Sequence, residues 1–314
     1  MTILYRDLTF NYHTKNLSKI IMIRKFEFTP ILGWSISRFD TFSACKRQYY
    51  YQYYGKYDRE NVQKINLLKG LTSVPLEIGN VTHKIIEILL NRMQKTAEPI
   101  DGRKFSEYAK KATNEITASK IFTEVYYEQA KEIDAEKLIF PQVNQALENL
   151  LKSERLQWIF DKALASKDEW IVDPEGFGEC RIDNQKAYCK VDFLFPVGDE
   201  IYILDWKTGK KDDAKHGKQL RGYVTWAYFH FNREFSRIKP TVAYLLPEYN
   251  ERSIVVNEFE IEAFSDQIRE ETEEMYRFCE SVEDNIPLAK TEFPMTENLA
   301  VCKFCSFREI CGRN

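Results

Sequence analysis

The apolar positions change period along the chain. Ser35-Ile36-Ser37-Arg38-Phe39 sets capping serines before the first apolar residues of a helix. The run continues through Cys45 into Tyr49, Tyr50, Tyr51, Tyr53 and Tyr54, which predicts an aromatic-rich helix. Over residues 84–167, Leu89, Leu90, Ile116, Phe122, Tyr126, Leu138, Val143, Leu147, Leu150 and Leu151 recur at helical intervals among Lys and Glu, so the segment reads as almost wholly helical. Gly79-Asn80-Val81-Thr82-His83 reads as the opening of its first helix. From Trp170 the period falls to that of strands. Residues 179–182, 188–195 and 201–204 are predicted strands, and the tight turn at Val197-Gly198-Asp199-Glu200 makes a hairpin of the last two. A helix over 218–231, strands over 241–246 and 253–259, and an acidic helix over 261–282 complete an α/β pattern without internal repeats.

With 314 residues, 44% of them hydrophobic and 14% aromatic, the chain is long enough for one elaborated domain or two, and it is not intrinsically disordered. Residues 1–33 read as a weakly patterned leader outside the core, with Met22 a candidate start. Ile20-Ile21-Met22-Ile23 is too short for a signal-peptide core, and no apolar run approaches the roughly 18 residues of a membrane helix, so a cytoplasmic protein away from membranes is expected. Forty-five Lys and Arg stand against 48 Asp and Glu, a net charge of −3, which argues against coating nucleic acid by bulk charge alone, so any such binding must come from a local basic patch.

Chemistry concentrates at the hairpin. Asp192 and Asp205 are separated by twelve residues, a spacing that lets the two carboxylates converge. Hard cations such as Mg2+ or Mn2+ prefer such oxygens and can activate water and stabilise charge on a phosphoryl group. Lys207, two residues after Asp205, points to the same face of the strand, where it can orient or deprotonate water or neutralise the phosphorus centre. A surface pair at a strand end is the other reading of Asp205 and Lys207. Asp213-Ala214-Lys215 repeats the Asp-x-Lys spacing, but in a polar stretch that begins a helix.

His83 and Glu87 lie four apart on one helical face, where the imidazole can complete a metal shell with Glu87 as an auxiliary carboxylate; a hydrogen-bonded imidazole is the alternative. Gln219 and Tyr223 share the same spacing, which taken alone is ordinary helix composition. Of seven cysteines, Cys302, Cys305 and Cys311 crowd together with ligand spacing. With Cys45 they make four thiolates, the number for a 4Fe-4S cluster or a tetrahedral Zn2+, either of which would tie the two ends of the chain together. Cys180, Cys189 and Cys279 read as small core residues, and disulfides are not expected.

Taken in order, Cys45, Gly79 to His83, Asp192, Asp205-Trp206-Lys207, Gln219 to Tyr223 and the Cys302, Cys305, Cys311 trio resemble the RecB-like branch of the PD-(D/E)XK nuclease superfamily, and most closely its iron-sulfur members, the nuclease domain of AddB-type recombination proteins and the exonucleases of CRISPR adaptation. The resemblance runs from about Ser35 to Gly312. It implies a restriction-endonuclease-like mixed central sheet flanked by helices, one nuclease domain over 34–314 with a helical insertion at 84–167, and a cluster-binding segment at 302–311 joined to Cys45 as an iron-sulfur staple between the termini. It further implies His83, Asp192, Asp205 and the Trp206 carbonyl as ligands of Mg2+ or Mn2+, Lys207 as the catalytic lysine, and Gln219 and Tyr223 as the Gln-x-x-x-Tyr motif that positions DNA and active site. The implied reaction is hydrolysis of DNA phosphodiester bonds, chiefly by a single-strand exonuclease of repair, recombination or CRISPR adaptation.

Two positions depart from the branch: Cys45 is followed by Lys46 rather than proline, and Lys190 stands where a glycine is common. No Gly-x-x-x-x-Gly-Lys-Ser/Thr occurs, so a helicase motor, with other recombination or adaptation partners, would be a separate protein. Lys207, Lys210, Lys211, Lys215, Lys218 and Arg221 against Asp212 and Asp213 give a local +4 suited to phosphates. Tyrosines 49–57 can stack unpaired bases or pack a core. A structure-specific endonuclease and a non-catalytic DNA-binding subunit are the rival readings.

Overall fold

The computed structural model describes residues 24, 26–173 and 179–313; the Met22 start and the residues before it lie outside the described residues. Helix α1 (Ile36–Ala44) begins where the serine pattern places it, with Ser35 Oγ accepting from the Arg38 N–H at 3.1 Å. It stops at Cys45, which is extended. Tyr49, Tyr50 and Tyr54 beyond it are buried among Phe42, Phe278 and Phe293, and Tyr51 against Phe307, so packing claims these four rings and base stacking does not. Leu32 and Trp34 are buried in the same core, which therefore takes in the end of the weakly patterned leader.

Helix α2 (Val74–Lys95) starts earlier than expected. Ser73 caps it and Pro75 occupies its first turn, where a missing N–H costs nothing, so Gly79 lies inside the helix rather than at its opening. Helices α3 (Gly102–Thr117) and α4 (Phe140–Leu151) follow, but the 84–167 segment is not uninterrupted helix: Ile121–Phe122 pairs in parallel with Leu71–Thr72.

The strands are β1 (Ile171–Val172), β2 (Glu179–Ile182), β3 (Gln185–Tyr188), β4 (Phe193–Val197), β5 (Glu200–Lys207), β6 (Ile238–Tyr244) and β7 (Asn250–Ser253), with α5 (Asp213–Phe231) crossing between β5 and β6 and α6 (Glu258–Tyr276) after β7. A mixed five-stranded sheet has the order β1-β4-β5-β6-β7, with only β5 and β6 parallel. Its alternating side chains separate two cores. Leu194, Ile201, Ile203, Val242 and Tyr244 pack with α1, α5 and α6, while Phe193, Phe195, Leu204, Trp206 and Ala243 pack with α2, α3 and α4.

Two strand expectations are corrected. The apolar run 188–195 is divided: Tyr188 ends the separate β2–β3 hairpin, and Phe193 begins β4 opposite Leu204. Strand β7 is the polar run 250–253 at a sheet edge, and the apolar-looking residues after it lead into α6, where Asn257 and Glu260 form a reciprocal capping box.

Candidate active site

Asp205 lies near the end of β5, opposite Val242, and is only 1% exposed. Tyr223 Oη donates to its Oδ1 at 2.7 Å, and Gln219 Nε2 donates to the same oxygen at 3.0 Å. Both donors come from one face of α5, one turn apart, and Gln219 also donates to the Tyr223 hydroxyl at 2.7 Å. The other oxygen, Oδ2, is buried and is met only by the Lys207 ammonium at 2.5 Å. The pair stand two positions apart on the strand with Trp206 between them, so both side chains rise on the α5 side of the sheet.

Asp192 and His83 meet the same strand through its backbone. Because β4 begins at Phe193, opposite Leu204, Trp206 runs past the end of its neighbour, and its peptide groups need other partners. Asp192 Oδ2 accepts the Trp206 N–H at 2.9 Å, and His83 Nε2 stands 2.9 Å from the Trp206 carbonyl. His83 Nδ1 is 3.4 Å from Asp192 Oδ1. The Trp206 indole, buried in the opposite core, anchors this peptide, and α2 carries the imidazole to it.

The electrostatics separate the two aspartates. Burial, and then the charge of Asp192, push the Asp205 carboxyl up against the opposing pull of Lys207 and Tyr223. Burial also acts to raise Asp192, but the charge and hydrogen bond of His83, with Lys207 and the Trp206 N–H, outweigh it and hold that carboxyl down. Burial lowers His83, and the neighbouring Asp192 and Asp205 more than offset it, so the imidazole is raised.

This donor set suits a hard divalent cation. It offers two carboxylates, one imidazole, one fixed carbonyl and a buried carboxylate oxygen held only by the Lys207 ammonium. Among the described residues no three His, Cys, Asp or Glu side chains already converge on one point; here the groups are paired with protein partners. Glu87, one turn beyond His83, is engaged by Lys84 at 2.8 Å.

Cys45, Cys302, Cys305 and Cys311 line one cavity of about 20 Å³. Cys45 Sγ accepts the N–H groups of Gln48 at 3.5 Å and Thr296 at 3.4 Å, and the Arg313 guanidinium donates to Cys302 Sγ at 3.4 Å. Burial, opposed by the Phe307 N–H and followed by the other three thiols, pushes Cys305 up to about 11. The four cysteines share this cavity but do not converge on one point, and four sulfurs are the donor number of a cluster or a zinc ion. The Arg47 N–H and guanidinium bind the carbonyls of Pro294 and Phe293 at 3.1 and 2.8 Å, so the cysteine segment also holds to the α1 end through ordinary hydrogen bonds. Cys180 and Cys189 are buried and Cys279 half-buried, as small core residues.

Sequence reasoning missed two parts of this site. The Lys190 carbonyl lies 3.2 Å from the Tyr223 hydroxyl, a backbone group with no sequence signal, and His216 Nδ1 lies 2.7 Å from the Tyr244 hydroxyl. Within the basic stretch, Lys218 is turned to Glu271 at 3.0 Å, and Asp213 is paired with Arg252.

A buried Asp and a Lys two residues apart at a strand end, a second Asp across the strand gap and a helix that grips the first meet at this point of the sheet. The sequence model of the PD-(D/E)XK nuclease superfamily matches residues 33–312, and the chain belongs to that superfamily: it is a nuclease, with nucleic acid as its substrate class, and members typically use Mg2+ or Mn2+. No curated protein matches it. The crystal structure of SSO0001 is similar at 16% identity with a TM-score of 0.29, over 72% of this chain and 96% of that one. Among the described residues no helix is long and apolar enough to cross a membrane.

Proposed function

We propose that the protein is a divalent-metal-dependent deoxyribonuclease that digests single-stranded or frayed DNA from an end. His83, Asp192, Asp205 and the Trp206 carbonyl hold Mg2+ or Mn2+. When bound, the cation supplies an activated water and stabilises charge on the phosphoryl oxygens. Lys207 orients the attacking water and offsets the charge gathering at phosphorus. Gln219 and Tyr223 fix the Asp205 carboxylate through one oxygen, which would leave the other, beside Lys207, for the cation, and the buried Trp206 ring keeps the carbonyl still. The observation that carries this reading is the division of Asp205: one oxygen tied by Tyr223 and Gln219, the other met only by Lys207.

Cys45, Cys302, Cys305 and Cys311 bind a 4Fe-4S cluster that staples the ends of the chain, with Zn2+ as the alternative; the shared cavity and the N–H donors to sulfur support a thiolate-bound centre. The role lies in recombination, repair or CRISPR adaptation, with strand separation supplied by a separate motor. Digestion of end-labelled linear and circular single strands in Mn2+ tests the exonuclease. Loss of the linear strand with the circle intact is expected, and nicking of the circle would favour a structure-specific endonuclease.

A further inference from the structure

The first turn of α5 carries a second buried polar pair beside the lysine of the site. Tyr244 stands opposite Lys207 in the β5–β6 ladder and is buried on the α5 side of the sheet. Its hydroxyl lies 2.7 Å from His216 Nδ1, and the Asp212 backbone N–H donates to the same nitrogen at 3.4 Å. A backbone N–H can only donate, so Nδ1 is an acceptor and Tyr244 Oη–H donates to it as well. The ring proton is thereby placed on Nε2. His216 as a whole is 6% exposed, and its Nε2, which no described residue bonds, is not among the side-chain nitrogens shut off from solvent. The imidazole thus offers a fixed, unused donor where the exposed ammonium groups of Lys210 and Lys215 have no described carboxylate partner.

We propose that His216 is a substrate-binding residue whose Nε2–H donates to a non-bridging oxygen of a nucleic-acid phosphate flanking the scissile one. Tyr244 and Asp212 act as its positioning groups by fixing the tautomer. The assignment rests on the nuclease reading of the site. It differs from the lysine contacts in kind: a directed neutral donor adds a geometric restraint that is less sensitive to salt than a point charge. The alternative is a helix-to-sheet tie in which only the Nδ1 bond to Tyr244 matters.

Glutamine and asparagine separate the two. A glutamine amide reaches the position of Nε2, whereas an asparagine amide reaches that of Nδ1. KM and kcat are measured for digestion of an end-labelled single-stranded oligothymidylate in Mn2+ by wild type, His216→Ala, His216→Gln and His216→Asn, with melting temperatures alongside. Loss of one hydrogen bond to a charged phosphate is expected to raise KM about tenfold in His216→Ala with kcat held within about twofold. His216→Gln is expected to restore KM, and His216→Asn is not. An unchanged KM in the alanine variant, a loss confined to kcat, or restoration by asparagine as good as by glutamine would overturn the proposal while leaving the nuclease reading intact. If the alanine variant fails to fold, the glutamine and asparagine pair decides by the same criterion. A wild-type protein that does not cut at all would overturn both.

Discussion

Tyr223 and Asp205 are eighteen residues apart in the chain, and the tyrosine hydroxyl donates to Asp205 Oδ1 at 2.7 Å. The bond joins the helix that crosses between the parallel strands to the strand that carries the candidate ligand, and it fixes which carboxylate oxygen is left to Lys207. Tyr223→Phe leaves Gln219 alone on Oδ1. The expected result is a fall in kcat of about tenfold with the fold retained, the cost of one hydrogen bond to a charged group. Steady-state digestion with a melting curve checks it; full activity would show that the bond does no positioning.

His83→Ala removes the partner of both Asp192 Oδ1 and the Trp206 carbonyl. Calorimetric titration with Mn2+ is expected to give an affinity at least about tenfold weaker than wild type, in line with losing one imidazole donor. Equal affinities would remove His83 from the ligand set.

At the cysteine cavity, anaerobically purified protein is expected to be brown and to contain about four iron atoms per chain, as a 4Fe-4S cluster requires. Cys45→Ala is expected to lose the colour and melt lower, because that ligand lies on the opposite end of the chain from the other three. Colourless protein with about one zinc would select the tetrahedral alternative.

Acid stability has a specific source in His230. Burial, and then the Arg24 charge, lower its imidazole from the ordinary value of 6.5 to about 4. The unfolded chain therefore binds a proton more readily than the folded one between these values. The neutral imidazole contributes its full stability above about 6.5, and that contribution is lost as pH falls toward about 4. Melting temperatures at pH 7 and pH 5 are expected to differ less in His230→Gln than in wild type. An equal acid-induced drop in the two proteins would contradict this.

What was legible in the sequence follows from how local each signal is. The Ser35 cap, the β4–β5 turn and the Asp205, Lys207 face depend on neighbouring residues and stand as read. At Gly198 the φ of +61° is one that glycine adopts without strain, so the tight turn was readable from that residue. The start of α2 was readable too, in Ser73-Val74-Pro75, but the glycine at 79 drew the boundary inward. The 188–195 run was misread because Cys189 and Val191 keep a strand-like alternation while the chain passes from the small hairpin to the main sheet. Only tertiary structure reveals that handover. The grip of Gln219 and Tyr223 on Asp205 and the burial of the tyrosines likewise depend on residues distant in sequence, which periodicity does not report.

Phosphodiester hydrolysis with a divalent cation and Lys207 is the proposed activity of this site. The most direct measurement is release of label from end-labelled single-stranded DNA in Mn2+, Mg2+ and EDTA, with wild type beside Lys207→Ala and Mn2+ binding measured on both. The account predicts metal-dependent release by wild type, a loss of at least about a hundredfold in Lys207→Ala as for removal of one transition-state donor, and Mn2+ still bound by the variant. Equal release by the two proteins, or none by wild type with any cation while its cysteine centre is intact, would contradict it.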